Sequence, residues 1–141
     1  MDGSRLINLA KRFAEDAHKG QVRKLNAEPF MNHPENVART LYEAGFREEV
    51  VAAGYLHDVV EDTDVSLAEI ESVFGREVSR LVAGNTETTG LPWAERKLET
   101  IGRAENGSIE VKALICADKY DNLANIMKYY AVSGNEVWKV F

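Results

Sequence analysis

Apolar residues recur at intervals of three and four along most of this 141-residue chain, and this spacing limits the fold more than any other feature. Such a period is typical of amphipathic helices, whereas half-buried strands alternate apolar and polar residues. The first predicted helix carries five such residues on one face, namely Leu6, Leu9, Ala10, Phe13 and Ala17. Strand-like alternation is absent from the sequence. We therefore predict an all-α protein, a single-domain helical bundle.

Turn and capping signals divide the rest of the chain into further helices. A second helix is predicted to open at His33-Pro34 and to close at Gly45. A third, over about 48–60, is apolar on most sides and is expected to be central and buried. Ser66 and Glu69 form a capping box for a fourth helix. Further helices are predicted over about 77–83, 93–104 and 108–130, and a short amphipathic segment over 136–141.

Composition and charge exclude several classes of protein. The chain is 45% hydrophobic and 28% charged, as expected of a globular protein with one core. A net charge of −6 without a basic tract argues against nucleic-acid binding, although a small anionic ligand is compatible with it. No run approaches the roughly 18 apolar residues of a membrane span, and no signal peptide is apparent, so a cytoplasmic location is expected. Cys116, the single cysteine, is predicted to be a small buried core residue.

The stretch HDVVEDT at 57–63 places a histidine and three carboxylates directly after the apolar run VVAAGYL. Unpaired carboxylates are costly in an apolar setting, so they are normally paired or bound to a metal. Acidic residues at the C-terminal end of a helix also oppose the helix dipole. These two arguments favour a metal or another cation at this point over a solvated helix end.

The remaining ligands of such a metal must come from elsewhere in the chain. His33 is one candidate, and Asp118, which follows the apolar run ALICA, is another, with pairing to Lys119 or Arg39 as its alternative. Two imidazoles and two carboxylates favour Mn²⁺, Fe²⁺, Co²⁺ or Zn²⁺ over Ca²⁺, and the lack of thiolates argues against a structural zinc site. Four protein ligands leave two positions of a six-coordinate ion open to water and to a substrate oxygen, as a hydrolase needs.

The chain closely resembles the HD-domain hydrolases of the RelA/SpoT type, especially the single-domain small alarmone hydrolases, over roughly residues 3–128. The segments that carry the resemblance are HKGQVRK at 18–24, PFMNHP at 29–34, LHDVVEDT at 56–63, Phe74 to Gly84 and ADKYDN at 117–122. The resemblance implies an all-helical domain that holds one Mn²⁺. By position, the ligands that it implies are His33, His57, Asp58 and Asp118.

The activity implied by the resemblance is removal of the 3′-pyrophosphate from guanosine tetra- and pentaphosphate. Glu61 and Asp62 would then position and deprotonate the attacking water. Arg23 and Lys24 would hold the substrate, with Asn122 near its ribose or phosphates. For the two basic residues, an exposed loop pair without a function is the alternative.

Several departures from the family pattern weaken the assignment of the substrate. Tyr120 and Asp121 stand where the family typically has leucine followed by histidine or serine. Two alternatives therefore stay open. The chain is a metal-dependent phosphohydrolase of another phosphorylated nucleotide, or it is a catalytically weak nucleotide-binding module. His18 is expected to have a structural role or to support one of the metal-ligating side chains.

The chain ends earlier than the family does, so we expect it to lack the C-terminal helices of the family. Trp138, Val140 and Phe141 would then form an apolar surface. Such surfaces are often buried against a second subunit. The sequence therefore predicts a homo-oligomer formed through the C-terminal segment.

Overall fold

The computed structural model describes residues 1 and 3–140. The α-helices in this part of the chain are α1 (Arg5–Ala17), α2 (Asn32–Glu43), α3 (Glu48–Leu56), α4 (Val59–Asp62), α5 (Leu67–Phe74), α6 (Arg76–Asn85), α7 (Trp93–Asn106) and α8 (Ile109–Ser133). A 3₁₀ helix spans Gly134–Val140. One isolated antiparallel bridge joins Val22 and Pro29, and the described residues contain no strand. The predicted all-α, single-domain fold is confirmed.

Helix α3 lies at the centre of the bundle, as its composition predicts. All of its residues from Val50 to Leu56 are buried, and α1, α2, α6 and α8 contact it. Gly54 allows α2 to approach closely, because a Cβ atom there would lie 3.1 Å from the Ala38 Cα atom. The core is therefore built around the helix that leads directly into the HDVVEDT stretch.

The prediction of one continuous helix over 48–60 is wrong. Helix α3 ends at Leu56, and α4 begins at Val59 after a turn formed by His57 and Asp58. The His57 Nδ1 atom donates to the Gly54 carbonyl at 2.7 Å, so a side chain uses the acceptor that a continuing helix would offer to the next backbone N–H. The two residues that carry the HD pair consequently sit at a junction between helices.

Helix α8 carries the second buried run of the sequence. The Ser108 hydroxyl caps it by accepting from the Val111 backbone N–H at 3.3 Å. Leu114, Ile115 and Ala117 are buried, whereas Cys116 is exposed, so the prediction of a buried cysteine is wrong. Adjacent helical residues point about 100° apart, and Cys116 falls on the side that faces away from the core.

The C-terminal segment contributes one residue to the buried interior. Val137 is buried, while Trp138 and Val140 are exposed. Phe141, the third member of the predicted apolar surface, lies outside the described residues. Among the helices that the structure describes, none combines the length and the apolar character that a membrane span requires.

Candidate metal centre and active site

Four predicted ligand side chains converge in the interior. His33 from α2, His57 and Asp58 from the α3–α4 junction, and Asp118 from α8 place one donor atom each within 4.8 Å of one another. The two Nε2 atoms of the histidines lie 3.1 Å apart. The Asp118 Oδ1 atom is 2.9 Å from Nε2 of His33 and 3.2 Å from Nε2 of His57. The Asp58 Oδ2 atom is 3.1 Å from Nε2 of His57. We refer to these four residues as the four-donor cluster.

Each imidazole has one nitrogen, Nδ1, that points away from the four-donor cluster and one, Nε2, that points into it. Nδ1 of His57 faces the Gly54 carbonyl at 2.7 Å, and Nδ1 of His33 faces Asp121 Oδ2 at 2.7 Å. A carbonyl and a carboxylate only accept, so each Nδ1 carries a hydrogen, and Nε2 is the nitrogen that each ring can offer to a metal. Two imidazole nitrogens and two carboxylate oxygens therefore meet at one point. This donor set fits a divalent transition-metal ion.

The electrostatics of the cluster favour a positive charge at that point. Burial lowers the pKa of His57, but the Asp58 and Asp118 carboxylates outweigh it and raise that pKa well above its usual value. Burial likewise lowers the pKa of His33, and hydrogen bonds to Asp118 and Asp121 raise it overall. Burial raises the pKa of Asp118, whereas its bonds with the two histidines hold it below the usual range. The carboxylates consequently stay ionised and stabilise a cation beside them.

Asp118 combines both roles that the sequence left open. Its Oδ1 atom faces the two histidines, and its Oδ2 atom accepts from Lys119 Nζ at 3.1 Å. Asn122, one helical turn further on, donates to the same carboxylate at 3.4 Å. Arg39, the other suggested partner, pairs with Glu35 instead. The ion pair with Lys119 therefore coexists with a place in the four-donor cluster.

Glu61 and Asp62 lie on α4, one turn beyond the HD pair. Partial burial is the main reason that the pKa of Glu61 rises to about 7, and the negative charge of Asp58 adds to it. Burial and Asp58 likewise raise the pKa of Asp62 to about 6. The Glu61 carboxylate accepts a short hydrogen bond from the Glu87 backbone N–H. Carboxylates that titrate near neutral pH are suited to general acid–base chemistry.

A cleft of about 800 Å³ opens beside the cluster, and both of these carboxylates line it. The three residues predicted to contact a substrate, Arg23, Lys24 and Asn122, line it as well. Lys24 is exposed, but Arg23 is buried, and its Nη2 atom lies 3.2 Å from Asp121 Oδ2. The cleft thus combines acidic groups near the cluster with basic groups that suit an anionic ligand.

The contribution of α7 to this cleft was not predicted from the sequence. Trp93, Arg96, Lys97 and Thr100 all line it. The Glu87 carboxylate accepts from Arg96 at 3.3 Å, from Lys97 at 3.2 Å and from Thr100 at 3.3 Å. The spacing of these residues places them on one helical face, which is readable from the sequence. The direction in which that face points depends on long-range packing and cannot be read from the sequence.

The pattern HKGQ at 18–21 has a structural explanation. The His18 Nδ1 atom bonds to Gln21 Oε1 at 2.9 Å, and the Gln21 amide donates to the Asp62 backbone carbonyl at 3.2 Å. His18 itself is buried and packs against the Phe30 ring. The pair therefore connects the end of α1 to the helix that carries Glu61 and Asp62. This agrees with the structural role expected for His18.

Comparison with known proteins identifies relatives along most of the chain. The sequence profile of the HD domain matches residues 10–129. A guanosine-3′,5′-bis(diphosphate) 3′-pyrophosphohydrolase, MESH1, of Danio rerio is 42% identical over 117 residues, which are 81% of this chain and 65% of that protein. The MESH1 protein of Homo sapiens is 43% identical over 89% of this chain and 71% of its own length. The chain thus spans about two thirds of the length of these relatives.

Solved structures also share the fold. A metazoan ortholog of SpoT, described as hydrolysing ppGpp and playing a role in starvation responses, superposes with a TM-score of 0.83. It is 36% identical, and the match covers 88% of this chain and 71% of that one. The crystal structure of lmo0812 from Listeria monocytogenes has a TM-score of 0.74 and 53% identity, over 77% of this chain and 71% of that one.

Proposed function

Because this chain belongs to the HD domain family, we propose that it is a metal-dependent hydrolase that removes the 3′-pyrophosphate of guanosine tetra- and pentaphosphate. The observation that carries the proposal is the four-donor cluster beside a cleft that contains both near-neutral carboxylates and basic side chains. Relatives named for this reaction support the choice of substrate. The products are GDP or GTP and pyrophosphate.

We propose that His33, His57, Asp58 and Asp118 hold the metal. Mn²⁺ is the ion that we infer, and Fe²⁺, Co²⁺ and Zn²⁺ suit the same mixed nitrogen and oxygen donors. A divalent ion supplies two things when bound, a lower pKa for water and neutralisation of charge on phosphoryl oxygens. The inward-facing Nε2 atoms of the two imidazoles and the ionised carboxylates support this assignment.

We propose that Glu61 and Asp62 orient the attacking water and accept its proton. In the reaction, the water oxygen bonds to the phosphorus next to O3′, the bond between that phosphorus and O3′ breaks, and O3′ leaves with a proton. A base is most effective when its pKa lies near the working pH. The raised pKa of Glu61, about 7, supports this role.

We propose that the basic side chains of the cleft bind the phosphates. Arg23, Lys24 and Asn122 are the contacts that we infer from the sequence, and α7 adds Arg96 and Lys97 to the lining. A guanidinium offers a planar fork of donors to a phosphate, whereas an ammonium acts as a point charge. Basic groups in the cleft of a chain with a net charge of −6 favour a small anionic substrate over an extended polyanion.

Turnover of guanosine tetraphosphate by the purified protein tests this function, combined with analysis of the bound metal. We expect pyrophosphate and GDP to appear in the presence of Mn²⁺ and the reaction to stop on chelation. Glu61→Gln and Asp62→Asn should each lower kcat by about 10²-fold or more, as expected for loss of a general base. Glu71→Gln, an exposed carboxylate outside the cleft, is the matched control. Release of phosphate from nucleotide monoesters alone would contradict the proposed substrate.

We also propose that residues 1–141 act as a single hydrolase domain and that a second copy covers the exposed apolar surface near its C-terminal segment. Trp138 is 51% exposed and packs against Tyr130 of α8, with their ring centroids 5.9 Å apart. Light scattering across a range of concentrations tests for the dimer, and a monomer at every concentration would contradict it. The cytoplasmic location expected from the sequence stays a prediction.

A further inference from the structure

Asp121 is a buried carboxylate that none of the proposed catalytic roles uses. It is 9% exposed and lies on α8, on the turn that follows Asp118. Its two oxygens accept hydrogen bonds from two side chains and form an ion pair with a third. His33 Nδ1 lies 2.7 Å and Arg23 Nη2 3.2 Å from Oδ2, and the Asn36 amide donates to Oδ1 at 3.0 Å. A buried carboxylate with this many donors is held in a fixed position.

The contact with Nδ1 of His33 affects the Nε2 atom on the opposite side of that ring, which faces the four-donor cluster. Because the carboxylate only accepts, it keeps the hydrogen of His33 on Nδ1 and leaves Nε2 free to face the other three donors. The same contact fixes the rotation of the ring. A partner of this kind on the outer nitrogen orients a ligating histidine and raises its basicity, and loss of such a partner typically costs 10- to 100-fold in metal affinity.

Asp121 also stands at a position where the sequence departs from the pattern that it otherwise resembles. Histidine and serine, the residues typical of that position, could not supply a carboxylate. The same Oδ2 atom contacts Arg23, which lines the cleft. One carboxylate therefore joins a residue of the four-donor cluster to a basic residue of the cleft.

We propose that Asp121 is a positioning residue that orients His33 toward the metal and ties this orientation to Arg23. The inference rests on the metal site proposed above. Asp121 touches neither the metal nor the reacting atoms, and it acts through the two side chains that it holds. Metal affinity should therefore depend on a residue outside the four-donor cluster.

The test compares Mn²⁺ binding by the wild-type protein and by Asp121→Asn and Asp121→Ala, measured by calorimetry without substrate. An asparagine still accepts from His33 Nδ1 but has no negative charge, so we expect affinity to fall by about tenfold, and by about 100-fold for alanine. Long-range proton–nitrogen NMR spectra of the metal-free proteins provide a second readout. At a pH high enough to leave the ring neutral, wild-type His33 should carry its hydrogen on Nδ1, and the alanine variant should show the other tautomer as well.

Tyr120→Leu is the matched control, because Tyr120 is the neighbouring departure from the family pattern and is 65% exposed. It should bind Mn²⁺ as the wild type does. Asp121→Asn, which keeps the size of the side chain, carries the test if the alanine variant does not fold. Equal Mn²⁺ affinity and an unchanged tautomer in the folded Asp121 variants would overturn this inference alone. Failure of the wild-type protein to bind Mn²⁺ would overturn the proposed metal site and this inference with it.

Discussion

At the level of single residues, carboxylates that share one cleft have opposite titration behaviour. Asp58 and Asp118 lie beside imidazoles that hold their pKa values below the usual range, although burial alone would raise them. Glu61 and Asp62 have no such partners, and burial together with the charge of Asp58 raises their pKa values. The first pair is therefore suited to holding a cation, and the second pair is suited to exchanging a proton.

The raised pKa of Glu61 predicts that the metal-free protein loses stability as the pH rises. A carboxyl group with a pKa of about 7 when folded and 4.5 when unfolded favours folding at low pH, and this advantage is lost as the pH rises through 7. Glu61→Gln cannot ionise and keeps the oxygen that accepts from the Glu87 N–H. In the presence of a chelator we expect this variant to be about 1 kcal/mol more stable than the wild type at pH 8, a modest value because Glu61 is partly solvated.

Urea unfolding at pH 8 and at pH 4 measures this difference. At pH 4, below both pKa values, the wild type and Glu61→Gln should have the same free energy of unfolding. Glu71→Gln should show no gain at either pH. A gain for Glu61→Gln that is equally large at pH 4 would show that ionisation is not its cause.

At the level of helices, the close contact between α2 and α3 fixes where two parts of the cluster meet, since His33 lies on α2 and His57 follows α3. A Cβ atom on Gly54 would lie 3.0 Å from Leu41 Cδ1 and 3.1 Å from the Ala38 Cα atom. Gly54→Val should therefore force the helices apart and lower the free energy of unfolding by about 1–3 kcal/mol, as overpacking of a core does.

Gly102 on α7 provides the matched control for this substitution. Nothing lies within 4 Å of a Cβ atom built there, so Gly102→Val should change the free energy of unfolding by no more than about 0.5 kcal/mol. Chemical denaturation of both variants checks the comparison. Equal effects at the two positions would mean that the α2–α3 contact does not limit the packing.

The helices were predictable from local signals, and their interruptions were not. The Ser66 and Ser108 caps mark the starts of α5 and α8, and both hydroxyls accept the expected backbone hydrogen bond. The break at His57–Asp58 depends on a side chain that competes for a backbone carbonyl, and the period of apolar residues carries no sign of it. The exposure of Cys116 likewise depends on which face of α8 meets the core.

At the level of the whole molecule, the four-donor cluster joins parts of the chain that are distant in sequence, from residue 33 to residue 118. Each donor was predictable by its chemical type and setting, and the resemblance to a family brought them together. The pairing of Glu87 with the basic residues of α7 arises only in the folded structure. Long-range packing of this kind cannot be read from spacing along the chain.

Because the unfolded chain cannot hold these donors together, a metal that binds the cluster should stabilise the fold. At a free Mn²⁺ concentration 100 times the dissociation constant, the expected gain is about 2.7 kcal/mol. Thermal and urea unfolding with and without Mn²⁺ measure it. Asp118→Asn, which removes one charged donor, should lose most of the gain, whereas Glu110→Gln, remote from the cluster, should retain it. No response of the wild type to Mn²⁺ would contradict a metal site here.

Helix α7 lines the cleft but has no buried residue of its own. Substitutions at such positions usually change stability very little, unlike substitutions in the core around α3. Under the proposed function, changes in substrate preference can therefore accumulate on α7 while the four-donor cluster is preserved. A library randomised at Trp93, Arg96, Lys97 and Thr100 is accordingly the natural starting point for selecting new specificities from this scaffold.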